Sequence, residues 1–277
     1  MCAALFCACA SGKKLRVEVI NNSALDRTNE LVEVPVNFYS QNNIVVLDKD
    51  KNQVPYQYSG TLIFPATVKA NETSRYIIKR GVPEKLAAKL DKYDAPAAGG
   101  IAPYADGVLW TDANNFDDYK ILEEGPLLVS VELAYNKTPY KDLKENIVVS
   151  KNLYSRLNKV AVFYGDAPAG MLVGSWIELH KNLGKIAKGK NYLAYAEDAV
   201  SGDGAPLGRV YGAVVVPGMT GIEENQTHIF ALAPYKESFV YYFGQSSGLD
   251  FDTDDAWFKY VRDFAQKTET PLTVKIK

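Results

Sequence analysis

The chain has 277 residues, of which 47% are hydrophobic and 23% are charged, so it can bury a sizeable core in one large β domain or two small ones. Its 31 Lys and Arg residues nearly balance 33 Asp and Glu residues, and no basic block with interleaved aromatics occurs, which argues against a nucleic-acid partner. The supply of 18 Tyr, 11 Phe and 3 Trp is typical of β-strands and also of surfaces that bind sugars.

The N-terminal segment contains all three cysteines, Cys2, Cys7 and Cys9, so the rest of the chain can hold neither a disulfide framework nor a cysteine-based zinc site. Residues 1–12 resemble the end of a bacterial lipoprotein signal with Cys9 as the lipidated residue. The run lacks a basic start and is short, so either the true start lies upstream or the chain is a fragment; a frayed apolar terminus is the alternative. We expect membrane contact only through a lipid anchor at Cys9, and a location in the periplasm or on the outer membrane.

Strand signals dominate residues 13–83, which we predict to form an N-terminal β subdomain. Short runs rich in β-branched and aromatic residues alternate with turn signals there, as in a sandwich or barrel. Residues 84–107 are rich in Ala, Gly and Lys and are predicted to be a linker.

Residues 108–277 are predicted to form the main β-sandwich. Short turns separate four strand runs, which indicates an antiparallel sheet rather than a βαβ unit. These runs are Leu127–Tyr135, Asn146–Ser150, Leu157–Tyr164 and Met171–His180.

One helix is predicted near the C terminus, with Asp252 or Thr253 as its cap and an apolar stripe that includes Trp257 and Val261. The acidic residues around its start do not match an EF-hand loop, so capping is the better interpretation and an irregular Ca²⁺ site is the alternative. We predict no metal site and no cofactor.

The run Met171–His180 puts Trp176, Glu178 and His180 on the face opposite its apolar residues. An indole ring stacks on sugar rings, while a carboxylate and an imidazole bind hydroxyls or move protons. The same placement is also typical of a solvated strand face, so spacing alone leaves both interpretations open. No G-x-S-x-G motif and no cysteine in the body supports a hydrolase with a Ser or Cys nucleophile.

Several phrases of the sequence resemble the DUF4861-type family of secreted proteins from polysaccharide-degrading Bacteroidota. They extend over nearly all of the chain. The phrases are VINNSALDRTNELVEV (19–34), VVLDKDKNQVPYQ (45–57), IFPATVKANETSRYIIKRGVP (63–83), DYKILEEGPL (118–127), NLYSRLNKVAVFY (152–164) and AWFKYVRDFAQKTETPLTVKIK (256–277).

This resemblance implies an all-β, antiparallel β-supersandwich of the galactose-mutarotase-like kind and a role in polysaccharide utilisation. At least one relative is an oligosaccharide dehydratase, which removes water from a terminal uronic acid. That chemistry needs a base, a group that holds the carboxylate and an acid for the leaving hydroxyl. An oligosaccharide is therefore the expected partner.

The chain departs from the family where the linker 84–107 replaces a long insert that carries the family's aromatic, basic and histidine-containing stretch. No family catalytic residue is therefore carried over. Chosen by residue type and strand face, the candidates are His180, Tyr119 and Arg156 for catalysis and Trp176, Glu178, Trp110 and Asp112 for substrate binding.

Three hypotheses follow from these observations. The first is a lyase or dehydratase that acts by β-elimination on uronic-acid oligosaccharides, with His180 or Tyr119 as base and Arg156 holding the carboxylate. The second is a non-catalytic glycan-binding lipoprotein or shortened pseudoenzyme. The third is a structural shell whose function was lost with the insert.

Overall fold

The computed structural model describes residues 14–36, 43–84, 90, 99–111, 116–178, 183–225 and 228–277. Strands β1–β7 are Leu15–Ile20, Arg27–Val34, Ile44–Leu47, Gln53–Val54, Gln57–Tyr58, Leu62–Val68 and Thr73–Arg80. Strands β8–β14 are Gly100–Ala105, Val108–Leu109, Asp118–Glu124, Leu128–Tyr135, Glu145–Asn152, Asn158–Tyr164 and Leu172–Glu178. Strands β15–β20 are Leu183–Lys188, Tyr192–Val200, Pro206–Val215, Gly221–Glu224, His228–Pro234 and Phe239–Ser247. Helix α1 is Asp254–Glu269, and strand β21 is Thr273–Ile276.

The chain divides into two compact units, of which the first contains the described residues from 14 to 90 together with 125–128 and 270–277. Its strands form two antiparallel sheets with the orders β21-β1-β7-β3-β4 and β2-β6-β5. The inward-facing side chains of both sheets, for example Val17 and Phe64, are fully buried in one hydrophobic core. This arrangement is a small β-sandwich.

Arg27 holds the end of the chain in the first unit. Its guanidinium is fully buried, pairs with Glu30 at 2.9 Å and donates from Nη2 to the carbonyl oxygen of Thr270 at 2.5 Å. Because a buried charge is costly unless it is paired and hydrogen-bonded, these bonds make Arg27 a stabilising element of the segment that leads into β21.

The second unit contains the described residues from 99 to 124 and from 129 to 269. An eight-stranded sheet has the order β10-β11-β12-β13-β20-β17-β16-β15, and a five-stranded sheet has the order β18-β19-β14-β8-β9. Alternate residues of the two sheets, such as Val160, Val173 and Ile229, form a common core. The two-residue period of the strands therefore puts one face of each sheet inside and the other outside.

Helix α1 packs on the eight-stranded sheet. The hydroxyl oxygen of Thr253 accepts a hydrogen bond from the Ala256 N–H at 3.1 Å and caps the helix, as the sequence predicts. Trp257, Val261 and Ala265 are buried against the sheet, so one stripe of the helix is its packing face.

An ion pair fixes the first turn of this helix. Arg209 on β17 donates from Nε and Nη2 to the two carboxylate oxygens of Asp254, at 2.9 and 2.8 Å. These hydrogen bonds, and then one from Lys185, hold the pKa of Asp254 below its usual value.

The all-β antiparallel sandwich fold with one helix near the C terminus is confirmed for the described residues. Three stretches differ from the predicted division into 13–83, 84–107 and 108–277, and one of them is residues 125–128, which belong to the first unit. Residues 100–105 form β8 and pair with β14, since small side chains do not prevent strand pairing. Residues 270–277 belong to the first unit because β21 pairs with β1, a contact that local sequence does not reveal.

The segment 1–12 with Cys9 lies outside the described residues. Within the part of the chain that is described, no helix is both long and apolar enough to cross a bilayer.

Candidate functional site

A cavity of about 150 Å³ lies in the second unit, among strands β8, β12 and β14 and the loop that joins β11 to β12. A cavity of this volume is large enough to hold a six-membered ring. The residues that line it are Gly99, Gly100, Ile101, Ala102, Pro103, Trp110, Tyr135, Lys137, Thr138, Pro139, Glu145, Ile147 and Trp176.

Trp176 forms one wall of the cavity. It lies opposite Gly100 in the β14–β8 pair, and a Cβ atom on Gly100 would stand only 2.0 Å from Cε2 of the indole. The neighbouring Ser175 hydroxyl donates to the Gly100 carbonyl at 3.0 Å and holds the two strands together at this point. The indole can lie over β8 only because residue 100 has no side chain.

Trp110 contributes a second indole to the lining. Its backbone N–H donates to the Pro103 carbonyl at 2.9 Å, and its ring lies 5.8 Å from the ring of the buried Tyr140. The residue is 36% exposed, which leaves surface for a ligand. The structure therefore brings Trp110 and Trp176, both predicted from the sequence, to one cavity.

The loop between β11 and β12 carries a cation to the cavity. The Thr138 N–H donates to the Leu143 carbonyl at 2.8 Å, and this bond closes the loop on itself. Lys137 lines the cavity, and its ammonium lies 3.0 Å from the Asp142 carboxylate. Both side chains are about 70% exposed, so their ion pair contributes little to the stability of the fold. The Lys137 ammonium therefore stays accessible to an anionic ligand.

Glu145 places a buried carboxylate in the cavity wall, at the start of β12. Tyr164 is its backbone partner on β13. Burial, and then the nearby Glu145 carboxylate, raise the pKa of Tyr164 and of Tyr241 well above the usual value. The hydroxyls of Tyr164 and Tyr241 therefore stay protonated. A third phenol, that of Tyr135, lines the cavity itself. Glu145 could not be predicted from the sequence, because a single Glu before an apolar run gives no sign of burial.

His228 lies next to the cavity, on the outer side of Trp176. The rings of His228 and Trp176 are 6.0 Å apart and nearly perpendicular. His228 on β19 is also the direct cross-strand partner of Glu178. The predicted face of Trp176 and Glu178 thus contains an imidazole from another strand, which only the register between β14 and β19 reveals.

Two other predicted residues that the structure describes, Tyr119 and Arg156, are not among those that line the cavity. Tyr119 is half exposed on β10, an edge strand, and the Arg156 guanidinium binds the Asp250 carboxylate at 2.6 Å. Asp112 and His180 lie outside the described residues. The predicted catalytic role of Tyr119, Arg156 and His180 stays a prediction, as does the binding role of Asp112.

The acidic residues near the start of α1 are engaged in protein contacts. Asp254 binds Arg209, and Asp250 binds both Arg156 and the Ser246 hydroxyl. In the described ranges, no three His, Cys, Asp or Glu side chains come together in a group that could hold a metal ion.

Comparison with known proteins finds similarity in sequence to one protein and similarity in fold to solved structures. The chain is 28% identical over 197 residues to "Uncharacterized protein P7" of Formosa agariphila, a stretch that is 65% of this chain and 47% of that protein. An alpha-mannosidase from Enterococcus faecalis V583 matches 95% of this chain with a TM-score of 0.59 and 8% identity. A protein in the Glycosyl Hydrolase Family 38 from Enterococcus faecalis matches 95% with a TM-score of 0.57 and 9% identity.

These structural matches cover 46% and 47% of the two solved chains, so this chain spans about half the length of the relatives it matches. At such low identity they show a shared fold. The family described as "Domain of unknown function (DUF4861)" matches residues 19–92 and 95–274, and the chain therefore belongs to the DUF4861 family.

Proposed function

We propose that the protein is a carbohydrate-active protein that binds the terminal uronic acid of an oligosaccharide in the cavity and acts on it by β-elimination. The observation that carries this proposal is a ring-sized cavity lined by two indoles, a buried carboxylate and an accessible ammonium. Indole rings favour the apolar faces of sugars, and the charged groups are of the kind that bind a carboxylate and exchange protons. The glycosidase-like fold of the structural relatives supports a carbohydrate ligand.

Lys137 is the proposed binding group for the uronate carboxylate. Its ammonium neutralises the negative charge that builds up on the carboxylate when the neighbouring carbon loses its proton. Because its partner Asp142 is as exposed as Lys137 itself, exchange of that partner for a uronate costs little.

Glu145 is the proposed base and Tyr135 the proposed acid. Glu145 takes the proton from the carbon beside the carboxylate, and the electron pair of that C–H bond forms a double bond to the next ring carbon. The C–O bond of that carbon breaks, and the oxygen takes a proton from the Tyr135 hydroxyl. From a terminal uronic acid it leaves as water, as in a dehydratase; from an internal uronic acid it would leave as the hydroxyl of the sugar linked there, as in a lyase.

Ultraviolet absorbance tests this reaction, because the product carries a double bond conjugated to the carboxylate. With glucuronate-terminated oligosaccharides, wild-type protein should raise the absorbance, and Glu145→Gln should slow the rise by about 10²–10⁴-fold. Glu124→Gln, at an exposed position on β10, is the control. An unchanged rate in Glu145→Gln would remove the proposed base; no absorbance change across a broad panel would remove the elimination reaction.

Glycan binding without turnover is the second candidate function. It is favoured by the positions of Tyr119 and Arg156, neither of which lines the cavity. In this case Trp110→Ala and Trp176→Ala should each weaken binding in a glycan titration while no sugar is converted. Tyr119→Ala, which removes an exposed aromatic ring elsewhere, is the matched control.

A role in polysaccharide utilisation, with a lipid anchor at Cys9 and a location in the periplasm or on the outer membrane, belongs to the same proposal. Its support is the family membership together with the sequence around Cys9. Palmitate labelling in cells should mark the wild-type protein and not Cys9→Ser. Equal labelling of both would contradict the anchor.

A further inference from the structure

Trp176 connects the cavity to the outer face of the five-stranded sheet. Its ring lies over Gly100 on one neighbouring strand and meets the edge of His228 on the other. A ligand that fills the cavity can therefore extend past Trp176 onto this face without leaving an aromatic surface.

The strand register defines which side chains share this face. The pairs β8–β14, β14–β19 and β19–β18 place alternate residues on the side of Trp176. We call this the Trp176 face, and its aromatic or acidic members are Tyr104, Trp176, Glu178, Glu223, His228 and Phe230.

The Trp176 face is aromatic and acidic. The Tyr104 hydroxyl donates to the Glu223 carboxylate at 2.5 Å, and the Tyr104 ring lies 6.1 Å from Phe230. Glu178 is exposed beside its partner His228. Among the described residues of these strands, the register places two carboxylates but no Lys or Arg on this side.

We infer that the Trp176 face is a second sugar-binding subsite and that it takes a neutral sugar. This inference rests on the proposed function, since it takes the cavity as the place of the terminal uronic acid. Trp176 and His228 offer ring surface, and the Glu178 carboxylate accepts hydrogen bonds from sugar hydroxyls. A second uronic acid would bring its own carboxylate towards Glu178 and Glu223, which repel it. The substrate class is therefore an oligosaccharide in which a terminal uronic acid is followed by a neutral sugar, not a homopolymer of uronic acids.

Four related sugars test this inference by calorimetric titration of the whole chain. They are glucuronic acid, cellobiouronic acid (glucuronic acid linked to glucose), the disaccharide of two glucuronic acids in the same linkage, and cellobiose. Cellobiouronic acid should bind roughly two- to tenfold more tightly than glucuronic acid because of the added ring contact. The all-uronic disaccharide should bind roughly two- to fivefold more weakly than cellobiouronic acid. Added salt should reduce the difference in affinity between the two disaccharides, because it screens the repulsion between carboxylates.

Variants assign the effects to residues. His228→Ala should bring cellobiouronic acid down to the affinity of glucuronic acid, and the double variant Glu178→Gln with Glu223→Gln should bring the two disaccharides to equal affinity. Glu124→Gln, an exposed carboxylate of the other sheet, should change neither.

The outcomes separate this inference from the proposal on which it rests. If glucuronic acid binds but the disaccharides show no gain, or the all-uronic disaccharide binds best, the second subsite is wrong and the cavity proposal stands. If none of the four sugars binds, both are overturned.

Discussion

A single added methyl group on Gly100 should disable the cavity. In Gly100→Ala the new Cβ would lie 2.0 Å from Cε2 of Trp176, whereas ordinary contact begins near 3.4 Å. The indole must therefore move by more than about 1 Å or turn away from β8. Misplacement on this scale can cost roughly hundredfold in activity, and loss of one ring contact roughly two- to tenfold in affinity.

The same substitution should also destabilise the fold. Overpacking costs about 1–3 kcal/mol, while replacing Gly by Ala recovers about 0.4–1 kcal/mol through the unfolded chain. The overpacking term is the larger, so we expect a net loss in the free energy of unfolding. Gly202→Ala is the matched control, because its Cβ meets nothing within 4 Å and should leave stability and binding unchanged or slightly improve stability.

Urea unfolding gives the stability of each variant, and titration with cellobiouronic acid gives its affinity. We expect Gly100→Ala to lose both stability and affinity, while Gly202→Ala keeps the stability and the affinity of wild type. Wild-type affinity in Gly100→Ala would show that Trp176 does not contact the sugar. Wild-type stability would show that the strand pair β8–β14 yields more easily than the contact distance implies.

Three further predictions concern groups outside the cavity. Arg27→Ala removes the charged hydrogen bonds to Glu30 and Thr270 and should lower the free energy of unfolding by about 1.5–3 kcal/mol. Hydrogen exchange in β21 should be faster than in wild type, and unchanged exchange there would show that Arg27 does not hold the chain end. The pKa of Asp254 is lowered in the folded state, so its contribution is present above the unfolded pKa and is lost as pH falls through the folded pKa. Arg209→Met should therefore flatten the acid limb of a stability–pH curve measured by urea unfolding, and an unaltered limb would contradict the pairing. The pKa of Tyr164 is raised in the folded state, so stability is lost as pH rises above about 10. Tyr164→Phe should reduce that loss of stability in alkaline denaturation. An equal loss in the variant would mean that other groups cause it.

Local patterns were enough to predict many of the strands, such as β11 and β14, and the faces of β14, but not β8. In β14 the alternation of apolar and polar residues correctly puts Val173 and Ile177 inside and Trp176 outside. The helix and its Thr253 cap were also predicted, since capping residues and an apolar stripe are contained in one stretch of sequence. These features depend on period and turn chemistry, which are properties of neighbouring residues.

The candidate site depends on register and burial, which neighbouring residues do not encode. Gly100 lies in the predicted linker, but its lack of a side chain is what allows the indole of Trp176 on β14 to pack over it. His228 joins the predicted face only because β19 pairs with β14 in one register. Glu145 is buried by residues from other strands, so its sequence neighbours give no sign that it lines a cavity.

A crystal structure of the protein with cellobiouronic acid tests the central claim most directly. We expect the uronic acid ring in the cavity between Trp110 and Trp176, with its carboxylate at the Lys137 ammonium. The glucose ring should lie over Trp176 towards His228. Sugar density at another surface, such as the exposed strand of Tyr119, or a uronate carboxylate pointing at Glu145, would contradict it.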